Sequence, residues 1–353
     1  MSQLTQVASV SRKVIKYGSL ALIMMMVVRS MFGLAYRWWK LAHPDPPPPP
    51  DVKFGKLPAL KFPQQTLSSK EFQYSLETPT GGLPTKLPNQ YAVYFMPIKK
   101  PSLLAYDEAK NLARQLDLIG QPFKLSESRY RWTGRIANLP TQLTMNIITG
   151  EFKFEKRWRV DNSFLIPSLV ISKDQAVQLV KNQLSRLNLL ADDLNEGKSL
   201  VNYWKIQGNN LVPAVALSKA QFLEVNLFRS PIKETPVLTT KPEKGLVRAL
   251  IGLQKNEKKQ IVELEYKYFP VARSQKATYP LIGIQKAWQK LQQGNAFVAL
   301  KPLNKTKVVA ISKIYLGYYD AETPQEFLQP IYVFQGKNFI AYVPAVADEW
   351  VSR

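Results

Sequence analysis

QPIYVFQGKNFIAYVPAV, residues 329–346, is the stretch whose reading decides the fold. Two apolar runs flank Gly336, and each alternates. Ile331 and Val333 face one way, Tyr332 and Phe334 the other; Phe339, Ala341 and Val343 alternate with Ile340 and Tyr342. Period-two runs rich in β-branched and aromatic residues around a turn signal read as a β-hairpin. Both of its faces are apolar, whereas a hairpin with one wet face alternates apolar with polar. Both faces are therefore expected to be covered, one by a helix and one by a neighbouring unit. The alternative is an exposed docking face for a partner, since large exposed apolar patches mark interaction sites.

Upstream of the hairpin, three segments carry helical periodicity. In SLLAYDEAKNLARQLDLIG, Leu104, Ala109, Leu112, Ala113 and Leu116 share a face, and Gly120 is placed to stop the helix. In ISKDQAVQLVKNQLSRLNLL, Ser172 and Gln175 form a capping-box pattern, and Ala176, Leu179, Val180 and Leu187 make the stripe. In TYPLIGIQKAWQKLQQGN, Thr278 suits the N-cap and Pro280 the first turn. Ile284, Ala287, Trp288 and Leu291 then pack, with Trp288 expected to be buried against the C-terminal sheet, and Gly294 suits C′.

Strand-like runs follow each helix. SRYRWTGRI and LTMNIITGEFKFEKRW follow the first; LVNYWKI, LVPAVALS and FLEVNLFR follow the second. A hairpin turning at Asn256 to Lys259 precedes the third helix, and KVVAISKIYLGYYD and the opening hairpin follow it. A helix followed by antiparallel strands, three times, is an α+β order rather than βαβ. No Gly-rich phosphate loop follows any strand.

DEAKNLARQL with MNIITGEFKF resembles a PepSY-type unit, an Ala-rich amphipathic helix and a hairpin with a Thr149-Gly150-Glu151 turn. The segment from YPLIGIQKAWQKLQQG to IAYVPAV is similar to the last unit of YycH/YycI-type proteins. The similarity rests on Ala287-Trp288, Leu291 and Gly294, on Leu316-Gly317-Tyr318-Tyr319 and on Leu328 to Phe334. That resemblance implies two or three PepSY-like units in a membrane-anchored, extracytoplasmic regulator of a cell-wall sensor kinase.

The N-terminus gives the address. Between Tyr17 and Tyr36 there is one charge, Arg29, in a run long enough to span a bilayer as a helix. Arg12, Lys13 and Lys16 favour a cytoplasmic N-terminus and an extracytoplasmic body, and Trp38 and Trp39 suit the far interface. Arg29 costs about 2.5–3.5 kcal/mol at mid-bilayer unless it snorkels or pairs, which makes it the candidate partner contact. A cleaved signal peptide is the rival reading, with Gly33-Leu34-Ala35 as a small-x-small site. HPDPPPPPD follows, a stiff polyproline II spacer of about 3.1 Å per residue. The expected organisation is a tail at 1–13, an anchor at 14–39 and a Pro-rich linker at 40–70. PepSY-like units then occupy 71–165, 166–272 (with an extra hairpin) and 273–353.

Composition narrows the chemistry. Among 353 residues, 45% are hydrophobic and 11% aromatic, enough for a packed core. There is no Cys, which excludes disulfides, Cys–zinc sites and thiol nucleophiles. The one His, His43, stands beside the prolines, so neither a two-His metal site nor a Ser/His/Asp triad is available. No cofactor, metal or catalytic residue is assigned. Asp107/Glu108, Asp192/Asp193 and Asp320/Glu322 are adjacent or turn carboxylates, whereas a hydrolase needs carboxylates converging across a cleft.

The formal charge is +22. Beyond residue 50 the chain keeps 42 Lys/Arg against 25 acidic residues (48 less 6, and 26 less 1). Such a field attracts anionic lipid, polymer or nucleic acid. RYRWTGR and KFEKRWR could stack on a nucleic acid strand, but strands with one wet face give the same pattern, and an extracytoplasmic body argues against that partner. The leading reading is an envelope binding, regulatory or scaffold protein that contacts another membrane protein. The alternatives are an anionic-polymer or lipid-headgroup binder and, third, an envelope hydrolase or transferase.

Overall fold

The computed structural model describes residues 3–43, 48–64, 68–302 and 307–352. The chain divides into two compact units, Met1–Pro49 and Pro50–Arg353. The first is helix α1 (Gln3–Ala42). Its Val14–Ala42 portion, 29 residues, is long and apolar enough to cross a membrane, and three residues longer than the expected 14–39 anchor. Pro44 to Pro47, the start of the polyproline run, lie outside the described residues.

The second unit is α+β and holds two large sheets. Strands β1 (Gln73–Leu76) and β2 (Gln90–Phe95) come first in the chain. Helix α2 (Ala105–Gln115) precedes β3 (Arg129–Ile136), β4 (Leu139–Asn146) and β5 (Phe152–Lys156). Helix α3 (Lys173–Arg186) precedes β6 (Ser199–Gln207), β7 (Phe222–Leu227), β8 (Val247–Gly252) and β9 (Ile261–Tyr266). These seven strands, flanked by Phe123–Lys124 and Asn210–Pro213, form one nine-stranded sheet in the order β3-β4-β5-β9-β8-β7-β6. The units expected at 71–165 and 166–272 are therefore fused through the β5–β9 ladder, where Phe154 faces Leu264 and Phe152 faces Tyr266.

Helix propensity and pattern explain α2 and α3. Ala109 and Ala113 of α2 and Ala176, Val180 and Leu184 of α3 are buried with Trp132, Leu143, Phe154, Val225 and Leu264 in one core. The capping box at α3 forms as expected. Ser172 Oγ accepts from the Gln175 amide at 3.1 Å, and Gln175 Oε1 accepts from the Ser172 amide at 2.8 Å. Two details of α2 differ. Leu104 lies outside the core at 62% exposure, its place taken by Ala105. The helix ends at Gln115 and turns on Asp117, with φ +61°, before Gly120 is reached. The run expected as a strand, LVPAVALS, keeps only Asn210–Pro213 extended and then turns through Leu217–Lys219.

The second sheet has eight strands. It contains β10 (Ala272–Pro280), β11 (Phe297–Leu300), β12 (Val308–Asp320), β13 (Phe327–Gly336) and β14 (Phe339–Pro344), with α4 (Ile284–Gln292) on one face. Thr278 and Pro280, expected at the helix start, belong instead to β10, which pairs with β2. Ala277 and Tyr279 are buried while their neighbours are not, so period two prevails there. The helix begins after Gly283, whose φ of +79° favours a residue without Cβ. At the other end Gly294 occupies C′ with φ +93°, as expected.

Strands β1 and β2 were expected in the first unit, and both join this second sheet. β1 runs parallel to β12, and β2 pairs with β10 and β13. Their short apolar runs carry no mark of which sheet they complete, so the boundary at residue 71 moves.

The 329–346 hairpin is covered on both faces. Tyr332, Phe334, Phe339, Ala341 and Val343 meet Ala287 and Leu291 of α4. Ile331, Val333 and Tyr342 pack with Leu60, Phe62 and Leu238. The second cover is thus largely the segment after the prolines, not a neighbouring unit, and residues 51–62 of the expected linker form a docked strap. Leu57 is fully buried, the Gln329 amide donates to Pro58 O at 2.8 Å, and the Phe62 and Phe297 rings stack at 4.8 Å. Gly336 lets β12 approach closely, because a Cβ there would collide with Ala310 O, and the return itself turns on Asn338 with φ +53°.

Trp288 is half-buried, between Tyr74 (6.0 Å) and Phe334 (5.8 Å), while Ala287 and Leu291 are the fully buried members of the stripe. Trp288→Ala is therefore expected to cost about 2 kcal/mol, less than the roughly 3–5 of a fully buried large side chain. Urea unfolding followed by circular dichroism checks this; a change below about 0.5 kcal/mol contradicts the packing.

Candidate functional site

Two features of the body concentrate polar groups away from the general surface. The first is a groove of about 800 Å³ over the seam where β5 meets β9. Its long wall is the flank of α3 from Asp174 to Leu187, and its opposite wall is the C-terminal end of α2, Gln115 to Asp117. The floor is apolar and buried, with Ile136, Phe154 and Leu264 at 0–5% exposure. The seam explains the groove. α2 packs on the β3–β5 side and α3 on β6 and β7, so the join lies between them.

The lining has a distinctive composition. Six carboxamides line it, from Gln115, Gln175, Gln178, Asn182, Gln183 and Gln260. Three acidic residues, Asp117, Asp174 and Glu257, stand against three basic ones, Lys156, Arg186 and Lys258. The groove is formally neutral in a chain of charge +22.

Lys156 is its most perturbed member. It ends β5, at 7% exposure, opposite an irregularity in the β8–β9 pairing. The following turn, Glu257–Lys259, brings the Lys258 carbonyl within 2.6 Å of Lys156 Nζ. Among the described residues that is the only hydrogen bond of an ammonium with three donors. Asp117 is engaged elsewhere, by Lys258 Nζ at 3.0 Å. Burial pushes the Lys156 ammonium down to about 8, and nearby Asp117 opposes it only in part. Nothing in KFEKRWR singles Lys156 out from its basic neighbours; strand alternation, with Phe152, Phe154 and Lys156 on one face, is the only sequence signal.

The second feature joins the two sheets. Arg229 is fully buried, and its Nε donates to Asp320 Oδ2 at 2.9 Å. A second nitrogen donates to Asp193, and a third to the Phe269 carbonyl at 2.6 Å. The guanidinium also lies 4.6 Å from the centre of the Tyr268 ring. Two of the sequence's carboxylate pairs thus converge through Asp193 and Asp320, but on a structural arginine. Glu322 pairs with Lys267 at 2.8 Å, and Asp107 and Glu108 stay in the first turn of α2. Burial disfavours the guanidinium charge, yet Asp320 and Asp193 outweigh it and hold Arg229 above its ordinary value. Burial pushes the Asp320 carboxyl up, with Arg229 pulling the other way.

Arg29, the candidate partner contact, is exposed on α1, just past the midpoint of Val14–Ala42. Ala42 lies thirteen positions further on, about 20 Å of helix. Among the described residues no group of three or more His, Asp or Glu is placed to hold a metal ion.

No family model and no curated protein matches the chain. A crystal structure of an uncharacterized protein from Eubacterium rectale is similar over 72% of this chain and 82% of its own, with 12% identity and a TM-score of 0.35.

Two predictions follow from these geometries. The unfolded chain holds the Lys156 proton up to about pH 10.5 and the folded chain only to about 8, so the folded state bears a penalty at neutral pH that disappears as pH rises between them. Lys156→Met is expected to stabilise the protein by about 1–3 kcal/mol at pH 7, with the gap to wild type closing toward pH 10.5. A gap independent of pH in urea unfolding contradicts a desolvated ammonium. At the inter-sheet cluster, Arg229→Leu leaves two acids facing each other and is expected to cost about 3–5 kcal/mol. Asp320→Asn removes a charge that burial already disfavours and should cost clearly less; equal losses in thermal unfolding contradict this assignment.

Proposed function

We propose that this protein is a single-pass membrane protein whose extracytoplasmic body binds another envelope or membrane protein, as a regulator or scaffold. The carrying observation is the combination of one span-length apolar helix with a body whose prominent cleft is a neutral, carboxamide-lined groove. Carboxamides at a groove offer both donors and acceptors to a partner's backbone. Of the acids that sequence would offer to a hydrolase, Asp193 and Asp320 are held by Arg229 and Glu322 by Lys267, which favours a binding reading. Helix-then-strands order, repeated three times, supports the PepSY-like and YycH/YycI-like reading of the units, and Arg12, Lys13 and Lys16 support a cytoplasmic N-terminus.

The second reading, an anionic polymer or lipid-headgroup binder, is favoured by the charge of +22. The neutral groove cannot supply that affinity, so such a ligand would lie on the basic outer surface.

Arg29 separates a plain anchor from an assembling one. If it pairs with an acidic group on a partner helix, Arg29→Leu strands that group in lipid. Membrane crosslinking followed by mass spectrometry, with expression matched, should then lose at least one membrane partner. An unchanged set of crosslinks assigns Arg29 to snorkelling and leaves the body as the contact surface. In the same membranes, protease added from outside should remove the body; protection of the body contradicts the orientation.

A further inference from the structure

The groove over the β5–β9 seam has a chemistry more specific than protein binding in general. Its wall is long, since α3 lines it from Asp174 to Leu187, about 20 Å at 1.5 Å per residue. Its floor is aliphatic apart from the buried Phe154 ring. Its rim is carboxamide, and among its lining stands a recessed ammonium with donors to spare. Each property excludes one class of occupant. Neutral overall charge gives a polyanion no gain here. A sugar would want an exposed aromatic plate, and the lining holds none. A wholly apolar ligand would offer nothing to the carboxamides of Gln115, Gln178, Asn182 and Gln183 or to the ammonium, Gln175 being held in the α3 capping box and Gln260 donating to Gln254 O at 3.2 Å. A peptide satisfies every property at once. Its backbone amides match the carboxamides, an aliphatic side chain suits the floor, and a carboxylate completes Lys156.

We propose that this groove captures a short peptide segment ending in a free carboxylate, with Lys156 as the carboxylate's partner. The assignment rests on the binding-protein reading above and narrows it to a ligand. Lys156 Nζ keeps the Lys258 carbonyl as one acceptor and gives its remaining donors to the incoming carboxylate. Lys156 is recessed at 7% exposure, and a terminal carboxylate brings no chain beyond it that would have to be fitted at that depth. The buried amine is also prepared for this pairing. It is poorly solvated when empty, so little hydration is lost when an anion arrives. Bound carboxylate would in turn raise its proton affinity, because an opposite charge favours the charged form.

The test uses the full-length chain in detergent and a pool of acetylated tetrapeptides of small and aliphatic residues. One half of the pool carries a free C-terminal carboxylate and the other half a C-terminal amide. Affinity selection read by mass spectrometry should enrich free acids over amides by about tenfold or more, and Lys156→Met should abolish that preference. In wild-type protein reductively methylated with carbon-13 formaldehyde, the Lys156 resonance should titrate at higher pH once the selected peptide is bound. Equal enrichment of acids and amides overturns the proposal, as does a preference that survives Lys156→Met. Selection of an anionic polymer or glycan, offered in parallel and lost on Lys156→Met, also overturns it. These outcomes are separable from the broader reading. Loss of peptide selection with envelope crosslinks intact removes only the ligand, whereas selected peptides without any crosslinked envelope protein remove only the scaffold.

Discussion

The pairing of Phe152–Lys156 with Ile261–Tyr266 is the constraint on which the body's architecture depends. Each of the first two helix-and-strand units has an open edge, and an unpaired edge is a liability that a sheet must cover or charge. Here the two edges cover each other. The result is one sheet of nine strands with two helices on the same side. Joining the units edge to edge keeps α2 and α3 at the spacing of their own strands. The groove is thus a by-product of the pairing, and Lys156 enters it because it continues the Phe152, Phe154 face.

The two sheets are tied by different means. The nine-stranded sheet meets the eight-stranded one through Arg229, whose donors span Asp193, Asp320 and the Phe269 carbonyl. A buried ion group of this kind adds little net stability over an apolar replacement, but removing one member leaves an uncompensated charge. It therefore acts as a register mark: only one arrangement of the sheets satisfies three donors at once. The strap at 51–62 works by burial instead. Leu60 and Phe62 close the outer face of the 329–346 hairpin, Leu57 packs with Val93, Tyr279 and Phe327, and Tyr279 donates to Gly55 O at 2.9 Å. Between them, directional and apolar contacts fix both ends of the second sheet.

Much of this was legible in the sequence, for local reasons. The stripe at Ala176 and Val180, the capping box at Ser172 and Gln175, and the alternation at Ile331 to Phe334 are signals within one element, and each element forms. The misses share a cause as well. Thr278 and Pro280 offered good helix-start chemistry, yet Tyr279 had a pairing partner at Tyr91, nearly two hundred residues away. Leu60 and Phe62 sat in a segment whose prolines spelled spacer, and their packing depends on a hairpin at the far end of the chain. The groove was invisible for the same reason: its walls come from three separate stretches, and none is unusual alone. Strand alternation placed Lys156 beside Phe154, but only the turn at Glu257–Lys259 makes it recessed.

The charge distribution carries the last step. A chain of +22 with a neutral groove separates two tasks that are usually confounded. The long-range field acts on any anionic surface, falls off over about a Debye length and encodes no sequence. The groove acts only at contact, where carboxamides, an aliphatic floor and one ammonium set geometric demands. On the reading proposed here, the field concentrates the body near anionic envelope components without filling the groove, because a neutral lining gives polyanions no added advantage there. On the other face of the first sheet, Glu224, Glu263 and Glu265 surround Arg248 within 3.0–3.4 Å, and Glu265 also holds Lys267 at 2.7 Å. At distance each of these carboxylates still cancels one cation, and the +22 that acts on a remote surface is the excess left after that cancellation. Attraction and recognition then reside in different residues, and a substitution can change one while leaving the other in place.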